Sequence, residues 1–241
     1  MKNIFLDFPD FIDSDTRIFR NDSEKGTYQV TNNLQYQRHN LSMPNLTGLS
    51  VLDLGCCVGA TGAWALCAGA KRYVGVELHN IFSSIAEKNL QTHFANDCWQ
   101  IINQSFEDFF KNNHEKFDVV IAWGVLYQSM YYESLIRNIT KICKSTLIVD
   151  SIAPYHTVEY PCVEYVTNYR PVVPPGMEPK FITAAMPNLL ALTLLLGQDN
   201  FKLINDLTAE LRAESPLGYQ QRFFVVFEKI SNLNGHGRRY E

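Results

Sequence analysis

The sequence predicts an α/β protein with a doubly wound parallel sheet and helices on both faces. Two observations carry that prediction. From residue 50 onward, short apolar runs alternate with segments of helical period, the sequence form of repeated βαβ units. The first of these runs, VLDLGCCVGATG at 51–62, breaks directly into closely spaced glycines and then into a helix-like segment. Right-handed crossovers make the doubly wound arrangement the default for such a series.

The elements follow in order. Residues 50–55 (SVLDLG) read as a strand and 60–70 (ATGAWALCAGA) as a helix ending at Gly69. RYVGVEL at 72–78 is the second strand, and NIFSSIAEKNLQTHF at 80–94 has helical periodicity. CWQIIN (98–103), KFDVVIAWG (116–124) and STLIVDS (145–151) supply three further strands, with YYESLIRNITKIC (131–143) as a helix between the last two. The stretch from Ala153 to Phe181 is rich in tyrosine and proline and has no clear period. It reads as an insertion over the carboxyl edge of the sheet, without a regular element of its own. MPNLLALTLLLGQ (186–198) resumes a helix, and FKLINDLT (201–208) and QRFFVVFEKI (221–230) are closing strands. The expected organisation is a cap segment over 1–49, a main domain over 50–230 with a substrate lid at 151–185, and a mobile polar tail over 231–241.

Composition narrows the class. A chain of 241 residues, 46% hydrophobic and 19% charged, has ordinary globular content and can bury a full core. The 21 Lys+Arg against 25 Asp+Glu give a net charge of −4. That excludes a general attraction to nucleic acid and leaves only a local basic patch. The six cysteines show no C-x-x-C pair, so neither a zinc pattern nor a disulfide framework is expected. The N-terminal MKNIFLDFPDF carries acids where a signal peptide has its apolar core, and the longest apolar stretch, NLLALTLLLG, is too short to span a bilayer. The expectation is a soluble, cytoplasmic protein with no metal, no membrane contact and an open oligomeric state.

The glycine stretch constrains the ligand. In open α/β sheets, ligands sit beyond the carboxyl ends of the strands. A dinucleotide turn reads G-x-G-x-x-G, whereas here the order is Gly55-Cys56-Cys57-Val58-Gly59-Ala60-Thr61-Gly62, with Cys57 at the position of close pyrophosphate approach. No P-loop lysine follows. Glu77, at the end of the second strand, can accept hydrogen bonds from both hydroxyls of a ribose. Asp53, before the turn, suits a cationic ammonium or sulfonium better than a phosphate. Together these describe a nucleoside joined to a charged amino acid. The plainer reading is a glycine turn that starts a helix and an acid at a solvated strand end.

The run D-L-G-C-C-V-G followed by V-G-V-E resembles the donor site of class I S-adenosylmethionine-dependent methyltransferases. The resemblance covers roughly 50–151 and implies a Rossmann-like seven-stranded sheet whose last strand is antiparallel, with S-adenosylmethionine as cofactor. It implies that Asp53, Gly55 and Gly59 border the methionine part, that Glu77 borders the ribose, that Ser105 and Phe106 flank adenine, and that Cys56 and Leu78 also contact the cofactor. Trp123 would stand where donor and acceptor meet. FDVVIAWGVLYQ (117–128) is similar to the F-D-x-V-x-x-x-G-V-L-Y-H segment of enzymes that modify the wobble uridine of transfer RNA. FITAAMPNLLALTLLLGQDNFKLI is similar to that group's F-I-P-S-x-x-x-L helix and strand. Gln128 replaces the histidine of the pattern, so shared ancestry of the core is implied rather than a shared substrate.

A small-molecule acceptor is expected, with RNA or a non-catalytic donor-binding role as alternatives. The catalytic candidates are Tyr127, Asp150 and His156, with His39 a further possibility. Gln128, Tyr155, Arg170 and Tyr36 are the candidates for acceptor contact. Each has a plainer reading: core packing for Tyr127 and Gln128, a loop cap for Asp150, and a surface position for His156.

Overall fold

The computed structural model describes residues 8, 45–154, 158–169, 178, 180, 182–210 and 222–230. The strands are β1 (Ser50–Leu54), β2 (Arg72–Glu77), β3 (Trp99–Asn103), β4 (Phe117–Trp123), β5 (Cys143–Ile152), β6 (Val163–Tyr169), β7 (Ile182–Pro187), β8 (Phe201–Asp206) and β9 (Arg222–Lys229). The helices are α1 (Ala60–Cys67), α2 (Asn80–His93), α3 (Phe106–Asn112), α4 (Tyr132–Ile142) and α5 (Leu189–Gln198), with a short 3₁₀ turn at Leu126–Gln128.

Seven strands form one sheet in the order β3-β2-β1-β4-β5-β9-β8. β1 pairs in parallel with β2 and β4, and β2–β3 and β4–β5 are parallel too. β9 lies between β5 and β8 and runs antiparallel to both. The expected sheet is thus the one observed, including its antiparallel last strand. After β3 the chain returns to the other side of β1, so the switch point lies between the carboxyl ends of β1 and β4. That is where an open α/β sheet leaves a crevice.

The strand sequences explain the two-sided burial. On one face Val51, Val119, Ile121 and Ile148 pack with Trp64 of α1 and Leu90 of α2. On the other, Leu52, Leu54, Val120 and Leu147 meet Phe109 of α3, Ile136 and Ile139 of α4, and Leu196 of α5. In α4, Leu135, Ile136, Ile139 and Ile142 are buried, while Glu133, Ser134 and Lys141 face solvent. Such a stripe drives a short helix onto a sheet, each buried aliphatic contributing about 1.5–3 kcal/mol.

Two elements depart from the sequence reading. The segment of Ser105 and Phe106, to which the sequence reading assigns no regular element, starts helix α3, where the Ser105 hydroxyl accepts the Asp108 N–H at 3.1 Å. The S-x-x-D spacing of a helix N-terminus was present in the sequence. The insertion is also not without regular structure. β6 and β7 pair antiparallel as a separate two-stranded sheet, with Tyr165 opposite Ala185. The cap segment (apart from Phe8 and residues 45–49) and the tail lie outside the described residues.

Candidate functional site

The chain leaves β1 through a turn built on left-handed backbone: Gly55 at φ 74°, Cys57 at φ 51° and Gly59 at φ 84°. The N–H groups of Gly55 and Cys56 both donate to the Val76 carbonyl, at 2.8 and 3.1 Å, tying the turn to the end of β2. A Cβ on Gly55 would stand 2.6 Å from Val125 Cγ1, and one on Gly59 would stand 3.2 Å from the Ala86 Cβ. The glycines are therefore required by the chain's own packing. Cys57 adopts the left-handed region without being glycine, and its buried side chain packs with Val58 and Phe82.

Glu77 stands at the carboxyl end of β2, 6% exposed. One carboxylate oxygen accepts the Cys57 N–H at 3.0 Å and the other accepts the His79 N–H at 2.9 Å. Asn103 steadies the same corner by donating to the carbonyls of Glu77 and Leu78. Two backbone donors fix the carboxylate and leave lone pairs on both oxygens for further donors. Leu78 is exposed beside it. A carboxylate with spare lone pairs beside a backbone turn is able to accept two hydroxyls of a diol.

Asp53, behind the turn, is almost fully buried and accepts the Tyr73 hydroxyl at 2.8 Å. Burial, reinforced by the Asp53 charge, pushes the Tyr73 phenol and the neighbouring Cys56 thiol well above their usual ranges. Both stay protonated at neutral pH. Gly62 makes room for this arrangement, since a Cβ there would meet the Tyr73 ring at 2.5 Å.

At the carboxyl end of β4, Trp123 is buried edge-on to Phe224, with ring centroids 5.9 Å apart. Gln128 donates to the Gly124 carbonyl at 2.6 Å, closing the turn that follows. Tyr127 is sandwiched. The Tyr169 ring of β6 meets it edge-on at 5.5 Å, and the Arg222 guanidinium lies 5.4 Å from its centroid. Asp150, paired with Trp123 across β4 and β5, is fully buried and holds Arg222 through both carboxylate oxygens, the Nε contact being 2.9 Å. Phe106 reaches the glycine turn, its Cζ lying 4.0 Å from where a Gly55 Cβ would be.

The structure thus gathers Asp53, Gly55, Cys56, Gly59, Glu77 and Phe106 at one corner of the switch point, and Trp123, Tyr127, Gln128 and Asp150 at the next. Ser105 caps α3. Tyr36, His39, Tyr155, His156 and Arg170 lie outside the described residues. Sequence reasoning did not single out Tyr73, Val125 or Arg222. Of these only Arg222 left a signal, as a charge directly ahead of the apolar run FFVVF.

Residues 52–147 match the family model described as a methyltransferase domain. No curated protein matches the sequence. Among solved structures, the magnesium protoporphyrin IX methyltransferase ChlM of Synechocystis PCC 6803, with bound S-adenosylmethionine, is similar at TM-score 0.61. Its identity is 16%, over 95% of this chain and 98% of that one. A putative S-adenosylmethionine-dependent methyltransferase of Listeria monocytogenes gives TM-score 0.62 and 15% identity over 82% and 99% of the two chains. The N-terminal domain of EvdMO1, solved with S-adenosylhomocysteine and D-fucose, gives TM-score 0.54 and 18% identity over 82% and 80%. Residues 52–147 are therefore similar to a methyltransferase domain, and the chain shares the fold of these methyltransferases. The donor used by such a domain is S-adenosylmethionine.

Proposed function

We propose that this protein transfers a methyl group from S-adenosylmethionine to a small-molecule acceptor at the carboxyl edge of β1, β4 and β5. The observation that carries the reading is Glu77, fixed on both oxygens by backbone N–H groups beside a left-handed glycine turn at the switch point. The donor fits this corner: a carboxylate with spare lone pairs for a diol, an exposed Leu78 beside it, and Phe106 near the turn.

When bound, the donor supplies an electrophilic methyl group on a sulfonium. The chain's own contribution is position and environment. Glu77 accepts the ribose hydroxyls, and the negative charge of Asp53 lies behind the turn on the side where a cation is favoured. Trp123 and Tyr127 wall the exit of β4 and exclude water from the reacting centre, so alignment and desolvation supply much of the rate. We read Asp150 as the anchor of Arg222 and Tyr127 as a wall. A proton acceptor, where the acceptor substrate needs one, then comes from the insertion, with His156 the candidate.

A small acceptor is supported by the net charge of −4 and by the ligands named for ChlM and EvdMO1. The finer resemblance to wobble-uridine enzymes rests on residues 117–128 and 181–204, and the substitution of Gln128 for histidine weighs against a shared substrate.

Calorimetry with S-adenosylhomocysteine tests the donor site. Glu77→Ala is expected to weaken binding by about 1.5–3 kcal/mol, the scale of hydrogen bonds to a charged group. Unchanged affinity in a folded variant places the donor elsewhere. Isotope-labelled donor, incubated with metabolite extract and with bulk RNA, tests the acceptor class, and label found only in RNA overturns the small-molecule reading.

A further inference from the structure

Outside the donor corner, large apolar side chains are exposed together on one flank. Met130 and Tyr131 lie in the turn into α4, and Tyr165 projects from β6; their relative exposures are 43%, 67% and 57%. They border a groove of about 450 Å³ that runs along α4. That volume lies within the range of small-molecule sites. Ser134, Asn138 and Lys141, spaced i, i+4, i+7, present one polar stripe of the helix along the groove.

The groove adjoins a second cavity on the side of α3. This second cavity, of about 170 Å³, shares Tyr131, Ser134 and Asn138 with the first and is also lined by Phe106 and Phe110. Phe106 is the residue whose ring reaches toward Gly55. Together the two cavities form a trench along α4, with Phe106 between it and the glycine turn.

The chemistry of the trench is specific. Tyr131, Tyr132 and Tyr165 supply aromatic faces from two separate elements. Burial, then the nearby Glu133 charge and Tyr165, raises the Tyr132 phenol, so it is a neutral donor at physiological pH. Glu133 and Arg137 compensate one another at 3.0 Å. Lys141, at the far end, makes no hydrogen bond or ion pair among the described residues, which leaves one uncompensated positive charge. Aromatic walls with an ammonium at one end complement a flat ring bearing an anionic group.

We propose that this trench binds the non-reacting part of the acceptor, and that this part is a planar aromatic ring carrying a carboxylate or similar anion. The proposal rests on the small-molecule reading of the preceding section, yet it is tested without turnover. 2-Naphthoate and its neutral counterpart 2-naphthylmethanol are titrated into the full chain and followed by tyrosine fluorescence and by ligand-observed NMR.

Naphthoate is expected to bind saturably, and about tenfold more tightly than the alcohol. Lys141→Gln should remove that preference while leaving the alcohol unaffected. Tyr165→Ala should weaken both ligands by about tenfold. Both substituted side chains are solvent-facing, and unchanged S-adenosylhomocysteine affinity in each variant reports an intact domain.

Failure of naphthoate to saturate overturns the proposal, as does equal binding of naphthoate to wild type, Lys141→Gln and Tyr165→Ala. The two readings fail separately. Absence of S-adenosylhomocysteine binding by the wild type removes the methyltransferase reading, whereas donor binding without naphthoate binding removes only the trench.

Discussion

Gly55 meets two demands at one position. Its φ of 74° lies where an L side chain crowds the following carbonyl, and an added Cβ would stand 2.6 Å from Val125 Cγ1. Gly55→Ala should therefore destabilise the fold by about 2–4 kcal/mol, the backbone and overpacking costs together. Adding Val125→Ala to that variant should recover the steric part and leave the backbone part, about 1–2 kcal/mol. Denaturant unfolding of the four members of the cycle measures both. A cost below about 1 kcal/mol for Gly55→Ala would mean that the turn does not take this course. It follows that a bulkier Gly55→Val change would disturb the fold as well as donor binding. The turn, Asp53 and Glu77 were legible in the sequence because a glycine's backbone demand and a strand-end acid are local properties. Tyr73 and Val125 were not, because nothing local says which side chain 20 or 70 positions away will lie against them. Cys57 illustrates the limit: it stands where glycine is usual, yet takes φ 51° with its side chain buried and its N–H committed to Glu77.

Strand ends show how elements hold register. The Asp118 carboxylate, at the start of β4, accepts both the N–H and the hydroxyl of Ser50 on β1, at 2.8 and 2.7 Å. It also pairs with Lys144 on β5 at 3.0 Å. One acid thus ties three adjacent strands. Its partial burial works against ionisation, but the Ser50 bonds and Lys144 outweigh that and lower its pKa to about 2. A folded-state value below the unfolded one contributes stability above the ordinary carboxylate range and loses it as pH falls from about 4 through about 2. Because the pair is partly solvated, the contribution is about 1 kcal/mol. Asp118→Asn should lower the unfolding free energy by that amount at pH 7 and by little at pH 2. Equal effects at both pH values would deny the ion pair its role. At this scale the sheet was legible, since buried strands and their intervening helices announce themselves by composition. The β6–β7 pair was not. Its strands are joined by residues 170–181 instead of a two-residue turn, so no hairpin signal marks them.

The two-stranded unit and the main sheet meet through one column of side chains. Tyr169 of β6 rests on Tyr127, Tyr127 on Arg222, and Arg222 is gripped by Asp150, while Ala184 and Met186 of β7 pack against the same tyrosine. Asp150 thereby links β5, β9 and the insertion at the edge where the acceptor is proposed to bind. Removing one partner of a buried ion pair leaves the other charge without compensation, so Asp150→Ala should destabilise the protein by about 3–5 kcal/mol. Asp150→Asn keeps a hydrogen-bond acceptor for Arg222 and should cost less. Tyr169→Ala leaves the ion pair intact but removes the contact above it. It should speed amide exchange in residues 182–187 without altering protection of β1, β2 and β4. These outcomes separate a structural column from a catalytic acid. If Asp150→Asn unfolds like wild type, keeps protection in 182–187 and binds S-adenosylhomocysteine normally, yet has lost methyl transfer, then Asp150 is the proton acceptor and the column is incidental. If instead stability and hairpin protection fall together while transfer falls only in proportion to the folded fraction, Asp150 acts on the acceptor solely through the walls it holds in place.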